Sequence, residues 1–316
     1  MSEKIDLTQV NFSTTKKIKY RNIPSISESQ CQSWWLKLKI LKKNIKLKLV
    51  GQHEMLDCLL MGLITGGHVL LQGPPGLGKS TAIHSLCELL KCSIAVVEKS
   101  QDFMGANLVV VNELNRCEEA FRRSLLTAMQ EKEIVVDNQH YYLDLPFVVF
   151  STINPTESGK LPLLPAELDR FMLHYTVPPP EPEQELEILN RHLGKQEIFE
   201  KAIDYVFDSN DILELQRLVL TVNIEPTLRQ KMVRTMAWAR DQKLEEKWHG
   251  FSPRTTINWA HVACARAFLN QRINVEIQDL TEVLDFVFSH RLPVPLKTTQ
   301  LSNDFLLDMR NQMAIS

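Results

Sequence analysis

The sequence has no run approaching the roughly 18 uninterrupted apolar residues that a membrane-spanning helix needs. Its opening decapeptide, MSEKIDLTQV, also lacks the apolar stretch of a secretory signal. The expectation is a cytoplasmic chain with no membrane span. The six cysteines (Cys31, Cys58, Cys87, Cys92, Cys117 and Cys264) include no C-x-x-C pair, so neither a disulfide scaffold nor a tight zinc-ligand pair is indicated. Reduced, mostly buried thiols are expected instead. None of the nine histidines stands in an H-E-x-x-H arrangement, which leaves a zinc hydrolase without its ligands. Glycine and proline number only 11 and 15 in 316 residues, too few for a fibrous or low-complexity chain. What remains is a globular protein long enough for one large or two medium domains.

Charge is spread unevenly. Residues 1–50 hold 11 Lys/Arg against 3 Asp/Glu, whereas the remainder holds 25 against 35. A basic arm on an acidic body could meet an acidic partner, an anionic membrane or nucleic acid, or could simply be a solvated helix face. Nucleic acid is not the expected partner, because the lysines are not interleaved with base-stacking aromatics. Trp34-Trp35 is a pair rather than a platform, of the kind more often found in a core or interface.

Residues 1–30 are polar, rich in Ser, Thr and Lys, and read as a poorly ordered extension. Trp34, Leu38, Leu41 and Ile45 then recur on one helical face, although the alternation of Ile45, Leu47 and Leu49 suits a strand equally well. Residues 53–65 read as a helix closed by Gly66-Gly67. Residues 68–72 form a short buried strand, followed by a Gly/Pro loop and a helix over 80–90. Strands are expected at 108–111, 147–153 and 172–177, a helix at 118–130, and a hairpin over 134–142 turning at Asp137-Asn138. Pro178-Pro179-Pro180-Glu181-Pro182 interrupts the pattern, and the rest reads as helical, with caps such as Ser209-Asn210-Asp211. Strands alternating with helices, then an all-helical tail, predict an α/β parallel sheet flanked by helices, followed by a smaller helical domain. The expected divisions are an extension over 1–45, a nucleotide-binding domain over 46–178, a helical lid over 183–300 and a tail over 301–316.

The chemistry is concentrated in Gly73-Pro74-Pro75-Gly76-Leu77-Gly78-Lys79-Ser80, which fits G-x-x-x-x-G-K-[ST] and has a strand before it and a helix after it. Glycines let backbone N–H groups surround phosphate oxygens, and the helix N-terminus adds partial positive charge. Lys79 would neutralise the β- and γ-phosphates of ATP, the Ser80 hydroxyl would ligate Mg2+, and Thr81 would follow on the first helical turn.

Beyond this loop, Leu49-Val50-Gly51-Gln52, Asn112-Glu113-Leu114-Asn115-Arg116, the run Leu125 to Glu131, Thr152-Ile153-Asn154-Pro155, Leu168-Asp169-Arg170-Phe171, Gly250-Phe251-Ser252-Pro253-Arg254 and His290-Arg291-Leu292 occur in order. Together they resemble the MoxR family of AAA+ ATPases, from about Leu49 to Pro295. The resemblance implies that Gly51 and Gln52 border the adenine pocket, that Glu113 polarises the attacking water, and that Asn154 senses the γ-phosphate. It further implies that Arg170 is an arginine finger for the neighbouring subunit's nucleotide, and that Arg254 contacts the γ-phosphate in its own subunit. A homo-oligomeric ring, a hexamer by the family's habit, a von Willebrand A-type partner and a protein client are implied in the same way.

Two features depart from the family pattern. Asn112 stands where the family has an Asp that holds Mg2+ through water, so a full negative charge is lost beside a divalent cation. At close range that is worth on the order of a few kcal/mol. In addition, only residues 91–107 separate the helix over 80–90 from the strand at 108–111. A parallel crossover normally needs about a dozen residues or more, so either the edge strand is expected to pair differently or the sheet to be one strand short. An ATP-driven remodelling ring and an ATP-holding switch with little turnover are the two functional expectations.

Overall fold

A computed structural model describes residues 27–97, 103–136, 139–154, 163–193, 205–242, 251–292 and 299–315. The expected poorly ordered stretch lies mostly outside them, as do the hairpin tip at Asp137-Asn138 and residues 155–162. Helix α1 (Glu28–Lys48) runs past Ile45 to the end of the lysine-rich stretch, so the helical alternative holds there and the expected boundary at 45 falls inside it. It is followed by α2 (His53–Thr65), β1 (Val69–Gln72), α3 (Lys79–Cys87), β2 (Leu90–Lys91), β3 (Ile94–Val96) and β4 (Leu108–Val111). Next come α4 (Glu119–Glu131), β5 (Glu133–Val136), β6 (Gln139–Tyr142), β7 (Val148–Ile153), α5 (Pro165–Leu168) and β8 (Leu173–Thr176). The remainder is α6 (Pro182–Leu193), β9 (Phe207–Asp208), α7 (Ser209–Val219), α8 (Pro226–Asp241), α9 (Pro253–Leu269), α10 (Ile277–Glu282), α11 (Leu284–Phe288) and α12 (Thr299–Ile315).

The central sheet is parallel throughout, in the order β3-β4-β7-β1-β8. Its inner strands β1, β4 and β7 are buried at every position, which is why they are mostly Val, Leu, Phe and Ile, with Gln72, Ser151 and Thr152 toward the ends of β1 and β7. Neither expectation for the short crossover holds. β3 pairs in parallel with β4, with Ile94 opposite Leu108, and the sheet has five strands. Pairing is secured at the return, where the Asn107 and Leu108 amides both donate to the Ser93 carbonyl and Val97 donates to Val110. β3 is left at the edge with Ile94 and Val96 exposed.

Two further boundaries differ from the sequence reading. α3 stops at Cys87 because Leu90 and Lys91 leave the helix to pair with Phe207 and Asp208 of β9. This pairing of residues more than a hundred apart joins the sheet domain to the helical part, where no strand was expected. Asp208 rather than Ser209 caps α7, its carboxylate accepting the Asp211 amide at 2.8 Å. The residues assigned to a C-terminal tail form α12, whose Phe305, Leu306, Met309 and Met313 are buried in the main core.

α2 is apolar on all sides and buried from Met55 to Ile64 apart from Asp57, since it lies between the sheet and the helical part and contacts both α7 and α9. α1 docks through Cys31, Leu38, Leu41 and Ile45, while Trp34 stacks on Phe207 and Trp35 tilts against Phe268. Its lysines meet the body's carboxylates: Lys37 with Asp211 at 3.1 Å, Lys42 with Asp57 at 2.6 Å, and Lys48 with Glu88. Part of the basic arm therefore faces the protein's own acidic surface. No helix among the described residues is long and apolar enough to cross a membrane.

Candidate nucleotide site

Parallel α/β sheets place ligands beyond the C-terminal ends of their strands. Here β1, β4 and β7 end side by side at Gly73, Asn112 and Asn154, with Val111 opposite Ser151 and Gln72 opposite Ile153. The Gly73 amide continues this pairing by donating to the Ile153 carbonyl at 3.2 Å, which fixes where the phosphate loop leaves the sheet. Gly76 and Gly78 sit at φ 85° and 78°, conformations that a side chain resists. A Cβ on Gly76 would meet nothing within 4 Å, so the loop's inner curve is open to a ligand.

Lys79 is buried and its Nζ donates to the carbonyls of Gly73 (2.7 Å) and Pro74 (2.6 Å), which aims the ammonium into that curve. Burial lowers its proton affinity, and the Glu113 carboxylate opposes the shift. The Ser80 hydroxyl donates to Asn112 Oδ1 at 2.9 Å, so the two expected metal-site residues are in direct contact. Glu113 adopts a left-handed conformation (φ 54°) with its amide donating to Thr152 Oγ1 at 3.0 Å, and its carboxylate is ion-paired with Arg116. A non-glycine residue held there by its neighbours is the kind of strain that collects at functional sites. Asn154 is buried at the end of β7, and its carbonyl accepts from Asn115 Nδ2 at 3.1 Å.

These groups line one cavity of about 520 Å3, within the range of ordinary ligand pockets. Gln52 and the loop from Pro75 to Thr81 line it too. Gly51, Gly73 and Pro74 do not. Gly51 instead packs against Gln184, where a Cβ would come within 2.3 Å of that side chain. Leu49, Val50 and, from α6, Ile188, Arg191 and His192 complete the wall. The α6 residues were not singled out from the sequence; their i, i+3, i+4 spacing was the available signal. Among the described residues no group of three or more His, Cys, Asp or Glu side chains converges as a metal cage. Ser80 Oγ and Asn112 Oδ1 are the oxygens that would take part in holding Mg2+, an ion commonly bound through substrate phosphates and water with one or two protein oxygens.

The expected arginines lie elsewhere. Arg170 and Arg254 share a second cavity of about 260 Å3 with His68, Lys132, Asp169 and Asn258. His68 immediately precedes β1 and Gly73 immediately follows it, so the two cavities lie at opposite ends of a four-residue strand, roughly 13 Å long. Arg254 is therefore not brought to its own phosphate loop. α9 packs on α2, α10 and α11, and its first turn carries Arg254 to the segment between α5 and β8. That segment is anchored from below. The almost fully buried Arg291 pairs with Asp169 at 2.9 Å and donates to the Phe171 carbonyl at 2.7 Å, and His290 Nε2 lies 3.0 Å from the same carbonyl.

Four family models match parts of the chain. They are the MoxR domain of MoxR-vWA-beta-propeller ternary systems over residues 36–96 and the ATPase family associated with various cellular activities (AAA) over 104–173. The others are the dynein-related AAA subfamily over 68–137 and the AAA lid domain over 247–306. Chaperone MoxR1 of Mycobacterium tuberculosis is 28% identical over 280 residues, covering 78% of this chain and 73% of the relative. YeaC of Bacillus subtilis is 26% identical over 275 residues, covering 79% and 85%. A solved structure of a candidate ATPase from Cytophaga hutchinsonii superposes with a TM-score of 0.79 at 26% identity, covering 90% of this chain and 96% of that one. A parallel sheet ending in a phosphate loop, a helical lid, and relatives that match both in order support a MoxR-type AAA+ ATPase.

Proposed function

We propose that this chain binds Mg2+–ATP in the larger cavity and hydrolyses it as a subunit of a ring, six-membered as the family resemblance implies. The observation that carries the reading is the convergence of Lys79, the Ser80–Asn112 pair, Glu113 and Asn154 on one cavity at the ends of three adjacent strands. Leu49, Val50, Gln52 and Ile188 provide the apolar wall and polar edge that suit an adenine ring. Lys79 neutralises the terminal phosphates, Ser80 and Asn112 hold the metal, Glu113 orients and polarises the attacking water, and Asn154 fixes that water against the γ-phosphate. Mg2+, when bound beside Ser80 and Asn112, would supply positive charge that offsets the phosphates. Arg170 and Arg254, at the far end of β1, act on the nucleotide of the neighbouring subunit rather than on their own. Catalysis then depends on assembly, because the positive charge that meets developing negative charge comes from the next chain.

A cytoplasmic chaperone-like role, with a von Willebrand A-type partner and a protein client, extends this reading. It rests on the name of the Mycobacterium relative and on the description of the MoxR domain. A second reading, ATP held as a structural or regulatory switch with little turnover, is favoured by Asn112 alone. Steady-state hydrolysis measured beside sedimentation, with and without ATP, separates the two. ATP-dependent assembly with turnover that Lys79→Ala abolishes supports the ring ATPase. Assembly without turnover supports the switch, and a chain that neither assembles nor turns over ATP contradicts the ring ATPase.

A further inference from the structure

We infer that Lys132 is a third cation, beside Arg170 and Arg254, for the terminal phosphates of the nucleotide held by a second copy of this chain; the inference rests on the ring reading above. Lys132 caps the C-terminus of α4 in a left-handed conformation, φ 58°. Glycine or asparagine takes that position at little cost, whereas a lysine there carries backbone strain. A lysine on the last regular turn would satisfy the helix dipole without that strain. The conformation turns the side chain under the sheet, into the cavity shared with the two arginines.

Among the described residues no acceptor of its own subunit meets the ammonium. It lies 3.2 Å from His68 Nε2 and 5.2 Å from the centre of the Phe147 ring. The Val149 amide donates to His68 Nδ1 at 2.9 Å, which fixes that nitrogen as the acceptor. In the neutral ring Nε2 then carries the proton, directed at the Met129 carbonyl 3.2 Å away. Lys132 thus faces a donor. Burial pushes His68 down to about 3, so the ring stays neutral, and burial lowers Lys132 to about 8.

The rest of the cavity is cationic as well. Among the described residues its one carboxylate, Asp169, is already paired with Arg291, and no carboxylate pairs with Lys132, Arg170 or Arg254. Three unneutralised positive charges around about 260 Å3 call for an anion. The space falls below the roughly 300–1,000 Å3 of a complete ligand pocket. Its occupant is therefore the anionic end of something held mostly elsewhere. A triphosphate seated in the larger cavity of an adjacent subunit has that chemistry and that attachment. The α-to-β junction at Lys132 accordingly contributes to the site without touching the nucleotide of its own subunit.

The test uses isotope-labelled Lys79→Ala chains mixed with unlabelled wild-type chains, with and without a non-hydrolysable ATP analogue. The Lys79→Ala chains cannot hold the analogue themselves, so any effect on their Lys132 comes from a neighbour. Acetylation of Lys132 on the labelled chains, followed by mass spectrometry, is expected to slow about tenfold or more in the mixture and to stay unchanged when those chains are alone. Sedimentation of the same samples separates the two ways of failing. Mixed assemblies that form with the analogue and leave Lys132 acetylation unchanged overturn the role of Lys132 and keep the ring. Absence of mixed assemblies overturns the ring, and the inference with it. Lys132→Met is expected to weaken analogue-dependent assembly about tenfold or more and Lys132→Arg to recover most of the loss. Equal weakening by both, or by neither, shows that shape rather than charge is at work and contradicts the inference.

Discussion

The Ser80 hydroxyl donates its proton to the side-chain oxygen of Asn112 across 2.9 Å, joining the first turn after the phosphate loop to the end of β4. The amide keeps the geometry that a carboxylate would have and omits its charge. Replacing Asn112 with Asp changes few contacts and adds one negative charge facing a divalent cation. Asn112→Asp is therefore expected to lower the Mg2+ concentration needed for half-maximal turnover and to raise turnover about tenfold or more. Mg2+ titrations of hydrolysis for the two proteins check this, and equal titration curves would remove Asn112 from the metal site.

Arg291 is a structural counterpart to that pair. Its guanidinium, 4% exposed, holds Asp169 and the Phe171 carbonyl together and so positions Arg170 at the rim of the second cavity. Arg291→Met removes the partner of the half-buried Asp169 carboxylate and one of two groups at the Phe171 carbonyl, and is expected to cost about 2 kcal/mol or more. Arg291→Lys should recover less than half, because an ammonium cannot reproduce the planar fork. Denaturant unfolding of the three proteins measures both effects.

Stability should depend on pH through the buried histidines. Burial holds His174 at about 4 and His68 at about 3, with nearby Arg291 and Lys132 acting in the same direction, and burial also lowers His290 well below the usual histidine value. Each is neutral in the folded chain and protonates near 6.5 when unfolded. The unfolded chain therefore binds more protons once the pH drops below 6.5, and folding stability falls from there toward pH 4. At pH 5 the loss is about 2 kcal/mol per histidine. Thermal melts from pH 8 to pH 5 should be level above about 7 and decline below 6.5. A level curve throughout would mean that these side chains are solvated.

The C-terminal helix is part of the core. Met309 is fully buried on α12, and Phe305 stacks on Trp238 with ring centres 5.6 Å apart. Met309→Ala is expected to cost about 2–4 kcal/mol, as a cavity in a packed interior does. An unchanged unfolding midpoint would place the helix outside the cooperative unit.

Features written in a few consecutive residues were legible in the sequence. The phosphate loop, the Gly66 helix stop and the predominantly apolar inner strands follow from needs that act over a short stretch of chain. What was not legible depends on distant packing. Leu90-Lys91 continues a helical pattern until Phe207-Asp208 offers a strand partner, and Ile188, Arg191 and His192 reach the nucleotide cavity because α6 folds back over it. Arg254 belongs to a motif of its own, yet which cavity it enters is decided by how α9 seats on α2. Lys132 is one lysine among many in the sequence, and its distinguishing backbone conformation and missing acceptor arise only when α4 meets β7 and His68.

The most direct measurement is calorimetric titration of ATP with Mg2+ into the wild-type protein and into Lys79→Ala, with melting curves to show that both are folded. The wild type is expected to give saturable binding at one site per chain and Lys79→Ala to give none. Equal binding by the two proteins, or none by the wild type, would contradict the assignment of the larger cavity as an ATP site.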